Sequence, residues 1–261
     1  MFRSLHTAAT GMAAQEAELD SISNNLANAN TVGFKKTRAD FQDLVYQTVR
    51  AAGTQTSATT VAPTGTQLGS GVRLVSTSRM FGQGALQNTN NPLDVAIEGN
   101  GFFVVGQPDG QPAYTRAGNL KTDAQGRLCT SEGMPLEPPI TIPQGAQSVT
   151  IGADGIVSVV QQGQTTANQV GTLQIANFVN PGGLNAIGHN LYTASAASGE
   201  AQVGAPGANG SGSLLQGSLE HANVEVVEEM IGLISAQRAY EINTKVVTAA
   251  DEMLRAASAL K

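Results

Sequence analysis

Apolar side chains recur every seven residues near the start of the chain. One row consists of Leu5, Met12, Leu19 and Leu26. A second row on the same side consists of Ala8, Ile22 and Ala29, with Gln15 as its polar member. Heptad spacing of this kind predicts a long amphipathic helix with one apolar seam. Gly33 is a natural stop behind it, so we assign residues 1–35 to an N-terminal helix.

The end of the chain has a similar pattern over residues 221–261. Apolar positions there alternate steps of four and three, at Ile242, Val246, Ala249, Met253, Ala256 and Leu260. An upstream seam of Val227, Ile231 and Ile234 is displaced in phase near Gln237 and Arg238. Asn223 can cap the helix, and Glu228 and Glu229 have the charge that favours its positive end. The pattern predicts a second long helix.

Neither helix can bury its apolar seam alone. A seam residue stabilises the fold by roughly 1.5–3 kcal/mol only when it is fully covered. We therefore expect the two terminal helices to pair as a coiled coil and to pack against the same helices of neighbouring copies. The seam residues of this inner domain are Leu5, Met12, Leu19, Ile22, Leu26, Ile231, Ile242, Val246, Met253 and Leu260.

Between the helices the pattern changes to short runs rich in β-branched residues, separated by turn signals such as Pro108-Asp109-Gly110. The predicted strands are 72–75, 93–97, 102–105, 148–151, 156–160 and 172–175. No long helical period lies among them, which favours an antiparallel all-β domain over residues 79–220. The fold class is therefore α+β.

Residues 36–78 are predicted to form an extended linker segment. Within it, the stretch 47–70 is rich in Thr, Gln, Ser, Ala and Gly, a composition typical of disorder in isolation. We expect this stretch to order only between neighbouring copies.

The share of charged residues and the net charge exclude some classes of function. Charged residues make up 13 % of the chain, about half the usual share, and such a surface suits close contact with other proteins. The net charge of −6 argues against nucleic-acid binding, and Lys35 with Lys36 fits a solvated helix end. No apolar run approaches the roughly 20 residues that span a bilayer, so we expect no membrane insertion. The N-terminus has no secretory signal pattern.

Candidate chemistry is sparse. The three histidines are far apart in sequence, Asp94 and Glu98 fit a solvated strand edge, and the single cysteine, Cys129, fits a small half-buried side chain. Gly99-Asn100-Gly101 predicts a tight turn, since strand residues follow it. We predict no enzyme, no cofactor and no metal. A polysaccharide-acting enzyme and a phage-tail-like structural protein remain as alternatives. The Asn-rich run 24–30 fits either helix-end caps or hydrogen bonds between subunits.

Three segments carry a family likeness. Residues 22–36 resemble the N-terminal signature of the flagellar rod and hook proteins, Asn-Asn-x-Ala-Asn-x-x-Thr-x-Gly-Phe-Lys. Residues 97–103 resemble a motif of that family's β domain, and residues 220–254 resemble its C-terminal signature. The matching residues include Asn24, Asn25, Asn28, Thr31, Gly33, Phe34, Gly101, Phe102, Gln237 and Arg238.

The resemblance implies a structural subunit that assembles as a helical homopolymer, the axial tube of a flagellum. It also implies a rod that crosses the periplasm, encloses an export channel and transmits torque. Export would use the flagellar type III apparatus without signal cleavage. Partners would be proximal rod proteins, the hook protein and the surrounding basal-body ring proteins. Chain length and segment 41–79 favour the distal part of the rod, with a hook or proximal rod protein as the alternative.

Overall fold

The computed structural model describes residues 2–55, 61–163, 166–208 and 210–259. It is an α+β protein with long helices at both ends, α1 (Phe2–Ala27) and α2 (Val226–Ala259). The chain forms two compact units. The first consists of Met1–Leu26, Thr37–Ser78 and Glu225–Lys261, and the second of Ala27–Lys36 and Arg79–Val224. The segment expected to be a linker thus belongs with the helices, and the end of the N-terminal signature belongs with the β domain.

Segment 37–79 folds back on itself, so that its outgoing and returning arms pair as a ribbon that is two strands wide. Its strands are β1 (Thr37–Asp43), β2 (Gln47–Arg50), β3 (Thr66–Leu68) and β4 (Val72–Arg79), with β1 paired to β4 and β2 antiparallel to β3. The described part of 47–70 is therefore strand-paired in a single chain, which differs from the expectation of order only between copies. Backbone pairing explains the difference, because a ribbon satisfies its own amides without a core. Residues 56–60 of that stretch lie outside the described residues.

Helix α1 lies along this ribbon. Near its start, the Arg3 guanidinium donates to the Gln47 side chain at 2.6 Å. Near its end, the Ser21 hydroxyl donates to the carbonyl of Thr37 at 3.1 Å. Between these two contacts the residue number increases along α1 and decreases along the β1–β2 arm. The helix and the arm therefore run in opposite directions.

Helices α1 and α2 are in antiparallel contact. Gly11 faces the Asn243 side chain, and Gly232 faces Ile22. The Asn25 amide donates to a carboxylate oxygen of Glu229 at 3.2 Å. From one contact to the next, the residue number increases along α1 by as much as it decreases along α2. Glycine at two of the contacts lets the backbones approach closely. Pairing along the whole length as a coiled coil stays a prediction.

The second unit is antiparallel β structure. Its strands are β5 (Leu86–Asn88), β6 (Val95–Glu98), β7 (Phe102–Gly106), β8 (Pro112–Thr115), β9 (Lys121–Thr122), β10 (Leu128–Cys129), β11 (Ala146–Ile151), β12 (Ile156–Gln161), β13 (Asn168–Thr172), β14 (Ile175–Asn177), β15 (Asn185–Gly188), β16 (Leu191–Thr193), β17 (Gln202–Gly204), β18 (Ser213–Gln216) and β19 (Ser218–Glu220). The largest sheet has the order β15-β16-β8-β7-β14-β17, and a second has the order β11-β12-β13. Three two-stranded pairs, β9–β10, β6–β18 and β5–β19, complete the described strands.

The six-stranded sheet separates two cores. Alternate residues of β7 point to opposite faces. Phe103 enters an aliphatic core with strands β11 and β12. Phe102 enters an aromatic cluster, where its ring meets Phe178 edge-on at 5.8 Å. The alternation that predicted this strand therefore also divides the domain.

Five of the six strands predicted from sequence are confirmed, with boundaries shifted by a few residues. The sixth, 172–175, is wrong. Strand β13 ends at Thr172 and β14 begins at Ile175, so the chain leaves the three-stranded sheet and enters the six-stranded one at Leu173. Leu173 is fully buried at this crossing. The short run Thr-Leu-Gln-Ile does not reveal that its two ends belong to different sheets.

Candidate functional site: a buried ion cluster and two exposed helix patches

Three charged side chains meet inside the second unit. The Lys35 ammonium donates to one carboxylate oxygen of Glu220 at 2.7 Å, and Nε of Arg116 donates to the other at 2.8 Å. All three side chains are almost completely buried. The expectation of a solvated helix end at Lys35 is therefore wrong. No neighbouring residue signals this burial, because the partner carboxylate lies 185 positions away along the chain.

Backbone carbonyls accept further hydrogen bonds from the cluster. Lys35 also donates to the carbonyl of Gly82 at 2.7 Å. Arg116 donates to the carbonyls of Gly99 and Gly101 at 2.8 and 2.7 Å, which places the predicted tight turn directly above the guanidinium. A buried ion pair contributes to a fold only when such extra hydrogen bonds complete it. The cluster therefore ties the signature segment 27–36 to four other parts of the β domain.

Burial is the largest influence on the ionisation of two of these groups. It lowers the pKa of Lys35, although the hydrogen bond and charge of Glu220 partly oppose this. Burial also acts to raise the pKa of Glu220. The charges and hydrogen bonds of Arg116 and Lys35 outweigh that effect and hold the pKa of Glu220 below its ordinary value of 4.5.

This direction predicts an acid-sensitive domain. A carboxyl whose pKa is lower in the folded than in the unfolded state stabilises the fold above its unfolded pKa. That contribution is lost as the pH falls below 4.5 and through the folded pKa. Thermal melts from pH 7 downward should show a falling midpoint below about 4.5. In Glu220→Gln the midpoint should start lower and the acid limb should be shallower, whereas Glu132→Gln, at an exposed carboxylate, should keep the wild-type limb. An unchanged acid limb in Glu220→Gln would contradict the assignment.

Gly33 brings the signature segment against the β domain. Its φ is +70°, and a Cβ there would lie 2.6 Å from the carbonyl carbon of Arg116. Its N–H donates to the backbone carbonyl of Glu220 at 2.8 Å. Glycine is required both by the left-handed backbone and by the close approach.

Gly33→Ala should therefore destabilise the β domain by more than backbone strain alone. A left-handed L-residue costs roughly 1–2 kcal/mol, and the backbone collision adds to it. Gly110→Ala is the matched control, since Gly110 has φ +79° but nothing within 4 Å of the position that a Cβ would occupy. Thermal or urea unfolding should show a clearly larger loss for Gly33→Ala. Equal losses would mean that the close approach is unimportant.

The other signature residues have different environments. Asn25 is buried in the first unit, where its Oδ1 accepts the N–H of Thr37 at 2.9 Å and its Nδ2 donates to the carbonyl of Thr37 at 2.9 Å. Asn28 and Thr31 hydrogen-bond each other through their side chains at 3.2 Å in the turn after α1. Of the remaining signature residues, Phe34 and Phe102 are buried and Gly101 lies in a turn. The exposed ones are Asn24, Gln237 and Arg238.

The predicted seam residues are only partly brought together within one chain. On α1, Ile22 is buried, and the half-buried ones are Leu5, Met12, Leu19 and Leu26. On α2, the exposed ones are Ile231, Ile242, Val246 and Met253. Leu260 lies outside the described residues. Their joint role as a seam stays a prediction.

A different face of α2 is covered within the chain. Ala236 and Ala250 are buried on it, and Leu233, Val247 and Leu254 are half-buried. Reasoning from the largest apolar residues missed this face because its two fully buried members are alanines. Ala236 and Ala250, which are two heptads apart, were the available signal. The described hydrogen bonds of Asn223 go to Lys36, Met80 and Gly82 rather than to the start of α2, so the predicted cap is wrong.

Most of the large exposed apolar residues of α2 fall into two patches. The first patch contains Val227, Met230, Ile231 and Ile234, and the second contains Ile242, Val246 and Met253. Their side chains are between 42 and 71 % exposed. Large apolar residues in such a contiguous arrangement mark protein–protein contact surfaces.

Sites for chemistry do not emerge among the described residues. There, no group of three or more His, Cys, Asp and Glu side chains is placed to hold a metal ion. Asp94 accepts hydrogen bonds from Thr89 at 2.6 Å and Asn91 at 2.9 Å and so braces a turn. Burial raises the pKa of the Cys129 thiol. In the same part of the chain no helix is both long and apolar enough to cross a membrane.

Comparisons with known proteins point to one family. Three family descriptions match: flagella basal body rod protein over residues 5–35, flagellar hook protein FlgE/F/G D1 domain over 96–159, and flagellar basal body rod FlgEFG protein C-terminal over 215–260. The flagellar basal-body rod protein FlgG of Caulobacter vibrioides is 51 % identical over 99 % of both chains. That of Bacillus subtilis is 41 % identical over 98 % of this chain and 97 % of its own. The flagellar hook-basal body complex protein FlhP of Bacillus subtilis is 29 % identical, with 97 % of each chain covered.

Proposed function

The chain belongs to the FlgG family of flagellar basal-body rod proteins, and from this membership we propose that it is the subunit of a tubular distal rod. Many copies polymerise into a helical tube that encloses an export channel and transmits torque to the hook. The full-length likeness to FlgG proteins favours this over the hook or proximal rod alternative.

The observation that carries the proposal is the pair of exposed patches on α2. These patches leave large apolar side chains uncovered on this one helix, at Val227, Met230, Ile231, Ile234, Ile242, Val246 and Met253. Burying each of them is worth roughly 1.5–3 kcal/mol. The two patches follow each other along the helix, one before and one after Gln237. One helix can therefore contact two neighbours, as a helical lattice requires.

Helix α1 offers a complementary surface. Its exposed side carries small and acidic residues, with Ala9 and Ala13 next to Glu16 and Asp20. Alanine provides a shallow groove into which large residues such as Ile242 can pack. We propose that the exposed face of α1 of one copy receives the second patch of α2 from a neighbour, and that the α1–α2 pair forms the inner wall.

The ribbon supplies a second contact region. Val45, Tyr46, Val49, Leu74 and Val75 are exposed on it. A two-stranded ribbon has no core of its own to cover these side chains. We propose that it wedges between neighbouring copies and blocks sliding, which stiffens the rod.

The rest of the proposal concerns setting and partners. The rod would lie in the flagellar basal body and cross the periplasm, joined to proximal rod proteins at one end and the hook at the other. Ring proteins would surround it. The subunit would reach this place through the flagellar type III export apparatus and would work as a structural part without catalysis.

Electron microscopy and sedimentation of the purified full chain test the proposal. At rising concentration the protein should form straight tubes that pellet at high speed. A glycan-cleavage assay on the same sample separates polymer from enzyme. Persistent monomer at every concentration, or glycan cleavage without tubes, would overturn the proposed function.

A further inference from the structure

The six-stranded sheet ends in two open edges. Among the described residues, no strand pairs with the outer side of β15 or of β17. Both strands are largely exposed, and neither carries a charged residue or a proline. Natural sheets usually protect such edges with charges, prolines or bulges, because open backbone groups pair with other chains. β17 has no such protection, and β15 has one irregularity, between Ala186 and Gly188.

The directions of the two edge strands are complementary. Every neighbouring pair in the sheet is antiparallel, and there are five such pairs from β15 to β17. The two edges therefore run in opposite directions. Two copies related by a shift and a small rotation keep their strand directions. β17 of one copy then meets β15 of the next as an antiparallel partner.

The side chains at these edges fit the same arrangement. Ile187 and Val203 are 43 and 49 % exposed. Ile187 lines a shallow depression of about 390 Å³ beside Pro112 and Tyr114. Val203 lines another of about 570 Å³ on the other side of Tyr114. Both residues therefore border depressions that Tyr114 also lines. In a continued sheet they would become cross-strand neighbours and cover each other.

We propose that β17 of one copy pairs with β15 of the next, so that the β domains of adjoining subunits form a continuous sheet. The occupant of each edge is a second copy of this chain. The contact uses different surfaces on the two copies, so it propagates rather than closing on itself. This inference rests on the proposed polymer and adds a contact outside the helices.

Cysteine cross-linking tests the pairing. In one chain Ile187 and Val203 are separated by five strand spacings of roughly 4.8 Å, about 24 Å in all, so a short thiol cross-linker cannot join them within a subunit. The native Cys129 is buried, and the wild-type chain controls for it. Tubes are first verified by electron microscopy and then treated with a short bismaleimide.

The expected pattern is specific. Tubes of the double variant Ile187→Cys with Val203→Cys should give a ladder of covalent oligomers in denaturing gels. Tubes mixed from the two single variants should stop at dimers, because each subunit then has one reactive thiol. Each single variant alone should remain monomeric. The pair Ile187→Cys with Val179→Cys is the control, since Val179 is exposed but lies outside both edges.

Three results would overturn the proposal: intact tubes without the ladder, mixed tubes without dimers, or an equal ladder from the control pair. In each case the tubes themselves would still stand as evidence for the proposed function. If the double variant fails to form tubes, the mixture of single variants decides. A wild-type protein that forms no tubes would instead refute the proposed function.

Discussion

Glu220→Ala should unfold the β domain or leave it only marginally stable. The substitution removes the one carboxylate that faces the buried Lys35 ammonium and the buried Arg116 guanidinium in the described cluster. Removing one partner of a buried ion pair costs about 3–5 kcal/mol, because the remaining charge is left uncompensated. A typical domain has only about 5–15 kcal/mol of stability, so this loss is a large share. Urea unfolding followed by circular dichroism would measure it.

Glu132→Ala is the matched control for this variant. Glu132 also pairs with a basic side chain, His189, but both side chains are largely exposed. An exposed pair contributes roughly 0–1 kcal/mol, so the control should unfold close to the wild-type midpoint. If Glu220→Ala were as stable as this control, the cluster could not be what holds segment 27–36 against the β domain.

Ile242→Asp should strongly weaken polymerisation while leaving the monomer folded. Ile242 is 60 % exposed in the single chain, so an aspartate there is solvated in the monomer. At a contact between copies the same carboxylate would be buried without a partner, which costs several kcal/mol. A loss of about 3 kcal/mol per contact raises the concentration needed for assembly by roughly a hundredfold. Sedimentation at increasing concentration would measure the shift.

Thr248→Asp controls for the added charge and for the helix propensity of aspartate. Thr248 is exposed on the same helix but points away from the patch of Ile242, Val246 and Met253. This variant should assemble near the wild-type concentration. Equal assembly of Ile242→Asp and wild type would show that the patch is not a contact.

Local patterns were enough to predict the overall architecture. The heptad rows predicted α1 and α2, and β-branched runs bounded by turn signals predicted most strands. The Gly99-Asn100-Gly101 turn was predicted as well, since φ is +105° at Gly99 and +136° at Gly101. These features depend on residues close together in sequence, where spacing and side-chain type suffice.

Features that depend on distant residues could not be predicted from the sequence. Lys35, Arg116 and Glu220 come from three separate regions of the sequence. Each is a charged residue of a type that is normally exposed when it has no partner of opposite charge. The inner face of α2 was missed because its alanines are only weakly apolar, while the larger Ile231 and Ile242 placed the predicted seam on the exposed side. The ribbon was missed because its strands pair through backbone groups, which composition does not report.

Helical reconstruction of the polymer by electron cryomicroscopy tests the central claim most directly. We expect a hollow tube in which α1 and α2 line the bore. Ile242, Val246 and Met253 should be buried there against a neighbouring copy. A tube in which these three side chains still face solvent would contradict the proposed function, as would a particle without a continuous wall of helices.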